Sequence, residues 1–144
     1  MTQLKTTDLE CTRQIPNATP QEVYDVWIDP AHPGGLWASA TKVIVTVKVD
    51  GLFYTALEHE GTRYAHYGRI TQLEPGQVVQ HTWVSQGTKG LESLVTTTFA
   101  PRDGGTFVTL RHSGVPDDEE GRMHVMGWNF VLGSLAEHMP KRTR

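Results

Sequence analysis

Three histidines of this chain fall in or beside runs of alternating apolar residues: His66 in RYAHYGRI, His112 in TFVTLRHSG and His124 in RMHVMGWNF. Imidazole takes up or releases a proton near neutral pH, so in a cavity it can serve as acid, base, metal ligand or simple hydrogen-bonding group. None of the seven histidines belongs to a catalytic motif. The chain has no G-x-S-x-G turn, no phosphate-binding loop and no H-E-x-x-H pair. Ser113 beside His112 is not a nucleophile–base pair, because neighbouring strand residues point to opposite faces. A zinc site would need His66, His112 and His124 to converge, which their spacing does not establish, so no metal and no cofactor is expected. Asp117, Asp118, Glu119 and Glu120 crowd the start of a helix, where its dipole favours negative charge, and are read as local. Cys11 is the sole cysteine; it cannot form an intramolecular disulfide and is read as a small buried apolar residue. No catalytic residue is assigned.

These side chains need a frame. Leu9 to Ile15 reads as a first strand. Thr19, Pro20 and Glu22 then mark a helix start: an N-cap, a proline at the first helical position and a capping box. Val23, Val26 and Trp27 form its apolar stripe, and Asp29-Pro30 ends it. From Lys42 the period becomes two, with Val43, Val45, Val47 and Val49 on one face and a hairpin expected at Asp50-Gly51. The segments LFYTALEHE, RYAHYGRITQLEP, QVVQHTWVSQ, LESLVTTTFAP and TFVTLRHSG follow, separated by glycine-bearing turns. They predict a meander of antiparallel strands.

A second helix is expected from Pro116–Glu119 to Pro140. At ~100° per residue its broad face carries His124, Gly127, Trp128, Val131, Leu132, Leu135 and His138, with Met123, Met126 and Phe130 in a smaller stripe. The order of elements predicts an α+β helix-grip fold. A curved antiparallel sheet of about six to seven strands wraps around a long C-terminal helix, with a short helix between the first two strands. The whole chain, 1–144, is read as one such domain.

A sheet and helix that do not meet flush enclose a pocket. Alternation places Thr106, Val108, Leu110 and His112 on one face of the last strand, and Val95, Thr97 and Phe99 on one face of the strand before it. Trp83 joins them from the preceding strand, and Tyr64 and His66 share a face with Gly68 and Ile70. In the strand before that, either Phe53 and Leu57 or Tyr54 and Ala56 point inward. Trp128 and Val131 cover the surface from the helix. The candidate ligand-binding set is thus Tyr64, His66, Trp83, Val95, Thr97, Phe99, Val108, Leu110, His112, His124, Trp128 and Val131. Such a lining suits a small hydrophobic or aromatic molecule, oriented by the few polar groups.

GRITQLEPGQVVQHTW, VTTTFAPRDGGTFVTLRHSGVP and MGWNFVLGSL resemble signatures of the START-like (SRPBCC) superfamily. Within it they are nearest the branch of homologues of the activator of the heat-shock chaperone ATPase (AHSA-like). IPNATPQEVYDVWIDP is similar to that branch's opening strand and helix. The resemblance covers nearly the whole chain, and Gly127-Trp128 after LRHSG is its most specific piece. It implies the helix-grip fold and a mostly apolar central pocket, but no single function, since the superfamily includes lipid carriers, hormone receptors, cyclases and chaperone cofactors. The chaperone activators themselves carry an additional N-terminal domain with no counterpart here, so chaperone stimulation is not the expected role.

Totals narrow the classes further. Thirteen basic against sixteen acidic residues leave a net charge of −3, which argues against nucleic-acid binding. The basic cluster KRTR is read as a solvated tail. No run has the length of a signal peptide core or membrane span, so a cytoplasmic protein without membrane insertion is expected. The expected function is non-enzymatic binding of a small apolar molecule, as carrier or sensor. The alternatives are a cyclase- or hydrolase-like enzyme using His112 or His124, and an interaction module or homodimer working through Met123, Met126 and Phe130.

Overall fold

The computed structural model describes residues 4–37 and 40–139. Strand β1 (Thr6–Ile15) leads into helix α1 (Pro20–Ile28), followed by β2 (Lys42–Val45), β3 (Leu52–His59), β4 (Thr62–Glu74), β5 (Val78–Ser85), β6 (Ser93–Arg102) and β7 (Gly105–Pro116). A short helix α2 (Glu119–Arg122) and the longer α3 (His124–His138) complete the chain. The strands form one antiparallel sheet in the order β1-β7-β6-β5-β4-β3-β2. The helix-grip α+β architecture is therefore the observed one.

Local chemistry explains the joins. At the start of α1 the Thr19 hydroxyl accepts from the Glu22 backbone N–H while the Glu22 carboxylate accepts from the Thr19 N–H, satisfying two of the donors a helix start leaves free. The β3–β4 and β6–β7 hairpins turn on Glu60-Gly61 and Asp103-Gly104, all four residues at positive φ, the geometry that matches strand twist in two-residue turns. The hairpin expected at Asp50-Gly51 is different. β2 ends at Val45, and the chain from 46 to 51 loops irregularly, tied to β4 by Asp50 N–H to Ile70 O and Ile70 N–H to Gly51 O. Val47 and Val49 are consequently exposed, because their alternation continues past the last ladder bond. The first strand also begins earlier than expected, at Thr6.

The expected long C-terminal helical segment runs from Glu119 to His138, with a one-residue turn at Met123 between α2 and α3. Asp118 caps α2 by accepting from Gly121 N–H at 2.8 Å, and Met123, itself at helical φ and ψ, joins it to α3. The acidic run is used locally: Asp118 also pairs with Lys89 and Asp117 with Arg122. α3 ends at His138; Pro140 and the KRTR tail lie outside the described residues.

The core joins α1, the concave face of the sheet and α3. Val23, Trp27, Val79, Val95, Phe99, Val108, Leu110, Trp128, Leu132 and Leu135 are all buried within it. Phe53 points inward, leaving Tyr54 to meet Tyr67 on the other face at 5.2 Å. No described helix is long and apolar enough to cross a membrane.

Candidate functional site

The site lies at one end of the grip, where β4 and β5 meet the short helix and the first turn of α3. Antiparallel register sets its floor: His66 on β4 faces Thr55 on β3 and Ser85 on β5. Beyond Ser85 a single 3-10 turn, Gln86–Thr88, lifts the chain over toward α2. Between these elements is a cleft of about 420 Å³. Tyr64, Ala65 and His66 form one wall, Ser85, Gln86 and Gly87 the second, and Glu120, Met123, His124 and Gly127 the third.

Aromatic rings pack beneath it in a continuous layer. His66 stacks on Trp83 with centroids 4.6 Å apart, and Trp83 meets Trp128 at 4.9 Å. His112 and His124 meet edge-on at 4.9 Å, and His81 lies deeper, edge-on to Phe53 at 5.3 Å.

The hydrogen bonds assign the tautomers. Trp128 Nε1–H donates to His112 Nδ1 at 3.0 Å; an indole only donates, so Nδ1 holds a lone pair. His112 Nε2–H then donates to Ser93 Oγ at 2.7 Å, and the Ser93 hydroxyl donates to the Trp83 carbonyl at 2.7 Å. Both nitrogens of His112 are thus committed, and burial together with the neighbouring His124, His81 and His66 pushes its pKa down to about 3. His124 donates its Nδ1–H to the Gly121 carbonyl at 2.8 Å, which leaves Nε2 as an acceptor. Burial lowers its pKa as well. His66 bonds to the Thr55 backbone, yet desolvation and His124 hold its pKa at about 4. All three rings are therefore neutral at pH 7.

Ser85 is 8% exposed, and its Oγ is buried without a hydrogen-bond partner. A side chain built at Gly87 would place its Cβ 3.4 Å from His124 Nε2 and 3.5 Å from Ser85 Oγ, so both atoms border the same small space. At Gly127 a Cβ would meet nothing within 4 Å.

Of the residues singled out from the sequence, Tyr64, His66 and His124 border the cleft. Trp83, His112 and Trp128 lie in the aromatic layer below. Val95, Thr97, Phe99, Val108 and Leu110 do not border it; they are buried side chains on which α1 and α3 pack. Val131 is partly buried against the same core. The cleft thus lies at the end of the sheet, while the concave face beside it is filled by packed side chains that include Val23, Trp27, Val95, Phe99, Val108 and Leu110. Met126 and Phe130 are exposed at 70% and 59%, while Met123, 54% exposed, belongs to the third wall of the cleft. The structure adds Ser85, Gln86, Gly87 and Glu120, which turn composition and helix-start charge had disguised. No group of three or more metal-ligating side chains converges among the described residues.

The family model for Activator of Hsp90 ATPase homolog 1-like protein matches residues 17–139. The chain belongs to this family. The AHSA1 match takes in every residue that borders the cleft. Among solved structures, protein CV1439 from Chromobacterium violaceum is similar with a TM-score of 0.77 at 25% identity, covering 93% of this chain and 98% of that one. CalU16 from Micromonospora echinospora matches with a TM-score of 0.72 at 19% identity, over 93% of this chain and 76% of that one. The Aha1 dimer from Colwellia psychrerythraea matches with a TM-score of 0.68 at 16% identity, over 92% and 96%. The latter two likenesses show the AHSA1 member's fold. No curated protein sequence matches it significantly.

Proposed function

We propose that the protein is a carrier or sensor that holds a small hydrophobic or aromatic molecule in the cleft between the β4–β5 end of the sheet and the start of α3. The observation that carries this reading is the buried, unpartnered Ser85 hydroxyl beside the free acceptor of His124. Buried polar atoms in folded proteins nearly always have partners, and a polar group on a bound molecule would supply one. Met123 and Ala65 offer apolar wall, and a volume of about 420 Å³ falls within the usual range for small-molecule sites. Gly127 adds support: a helix-interior glycine costs about 1 kcal/mol relative to alanine, and here no packed neighbour requires it. A catalytic role for His112 is disfavoured because both of its nitrogens are occupied.

The test is Gly127→Leu. Its side chain enters open space, so the variant should fold at least as stably as the parent, while native mass spectrometry loses any co-purifying small molecule. Undiminished ligand occupancy in a folded Gly127→Leu protein would count against the cleft.

A further inference from the structure

We infer that the cleft, read as the ligand site proposed above, selects a hydrogen-bond donor: an amine on an apolar or aromatic skeleton, in preference to the corresponding acid. The inference rests on the imidazoles and the carboxylate at its walls, beside which the neutral Gln86 amide and Tyr64 hydroxyl can each donate or accept. His124 spends its one N–H on the Gly121 carbonyl at 2.8 Å and offers only a lone pair. His66 likewise bonds to the Thr55 backbone, leaving its other nitrogen as an acceptor. Glu120 brings a carboxylate, an acceptor when ionised, and has no ion-pair partner among the described residues. Ser85 Oγ can act either way.

Among the described residues no unpaired cation on the bordering segments offsets these acceptors. The basic residues on the bordering segments are each held by another carboxylate: Lys89 lies 3.2 Å from Asp118, Arg122 is 2.9 Å from Asp117, and Arg63 is 3.4 Å from Glu58. An anionic ligand would therefore lose its hydration and meet lone pairs and a like charge, with only the neutral donors of Gln86 and Tyr64 to compensate. An ammonium group would meet several acceptors at once, with the ring of Tyr64, 42% exposed at the mouth, available to a cation. Because the imidazoles are neutral at pH 7, the selectivity does not depend on their charge.

The experiment is calorimetric titration at pH 7.5 of the full chain with tryptamine, tryptophol and indole-3-acetate, which vary the polar end on one indole skeleton. The amine should bind at least tenfold more tightly than the acid, with the alcohol between them. Glu120→Gln should reduce the amine's advantage over the alcohol at least threefold. Should the acid bind as tightly as the amine, with Gly127→Leu abolishing both, the cleft would stand as a ligand site and the donor preference would be overturned. Should none of the three bind, or should Gly127→Leu alter no binding, the cleft reading itself would fall, and the preference with it.

Discussion

Trp128 donates its indole N–H to His112 Nδ1 at 3.0 Å, joining α3 to β7 across the floor of the cleft. The bond starts a chain that continues through Ser93 to the Trp83 carbonyl, with each donor matched to an acceptor. His112 is fully buried, so the chain fixes the end of the helix against three strands without exposing a reactive nitrogen.

That arrangement predicts the effect of His112→Phe. The ring keeps its volume, but the Trp128 N–H is left buried with no partner, which costs about 1–3 kcal/mol. Urea denaturation should show a lowered midpoint with an unchanged slope. A variant as stable as the parent would mean that the Trp128–His112 bond contributes nothing.

Acid sensitivity follows from the same burial. The pKa of His81 is lowered to about 4 and that of His112 to about 3, against an ordinary 6.5, in both cases chiefly by desolvation. The unfolded chain then binds protons that the folded chain refuses. Stability is complete above pH 6.5 and declines as pH falls toward the folded values, which for His81 alone amounts to about 2 kcal/mol at pH 5. His81 Nε2 also lacks a partner, so His81→Leu should be close to neutral at pH 7.5 and stabilising at pH 5. Thermal melts at the two pH values measure this, and an identical loss of melting temperature in parent and variant would refute it.

How far such features can be seen before folding depends on periodicity. Strand alternation correctly groups Val95, Thr97 and Phe99, and Val108 with Leu110, because a two-residue period assigns faces directly. It cannot say where along a face the covering helix stops touching the sheet. That limit explains why these five side chains pack in the core while the hollow opens at His66 and Ser85. Ser85, Gly87 and Glu120 sit at a strand end, in a turn and at a helix start, where no period assigns a direction. The one-residue turn at Met123 has no signal in the sequence either, since carboxylates at a helix start fit one long helical segment with or without it. Tautomers are a property of contacts made across the fold, and the composition of RHSG or GRMH carries no trace of them.

The remaining prediction concerns Gly68, which shares the face of His66 and Ile70 in the sequence pattern and pairs with Phe53 across β3 and β4. Its backbone has ordinary φ, so the requirement for glycine is steric. A Cβ there would collide with the Thr82 carbonyl oxygen and with the ring of Phe53. The Phe53 ring is 4% exposed and packs against His81, Trp83 and Trp37, so it cannot move without disturbing the layer that supports the cleft. Gly68→Ala should therefore destabilise by about 1–3 kcal/mol through overpacking, although alanine normally favours extended structure over glycine. Phe53→Leu placed in the same chain should recover only the part of that loss due to the ring, because the collision with the Thr82 backbone carbonyl remains. Chemical denaturation of both single variants and the double variant provides the coupling energy. Strict additivity would show that the ring does not press on this position and that the glycine is there for another reason.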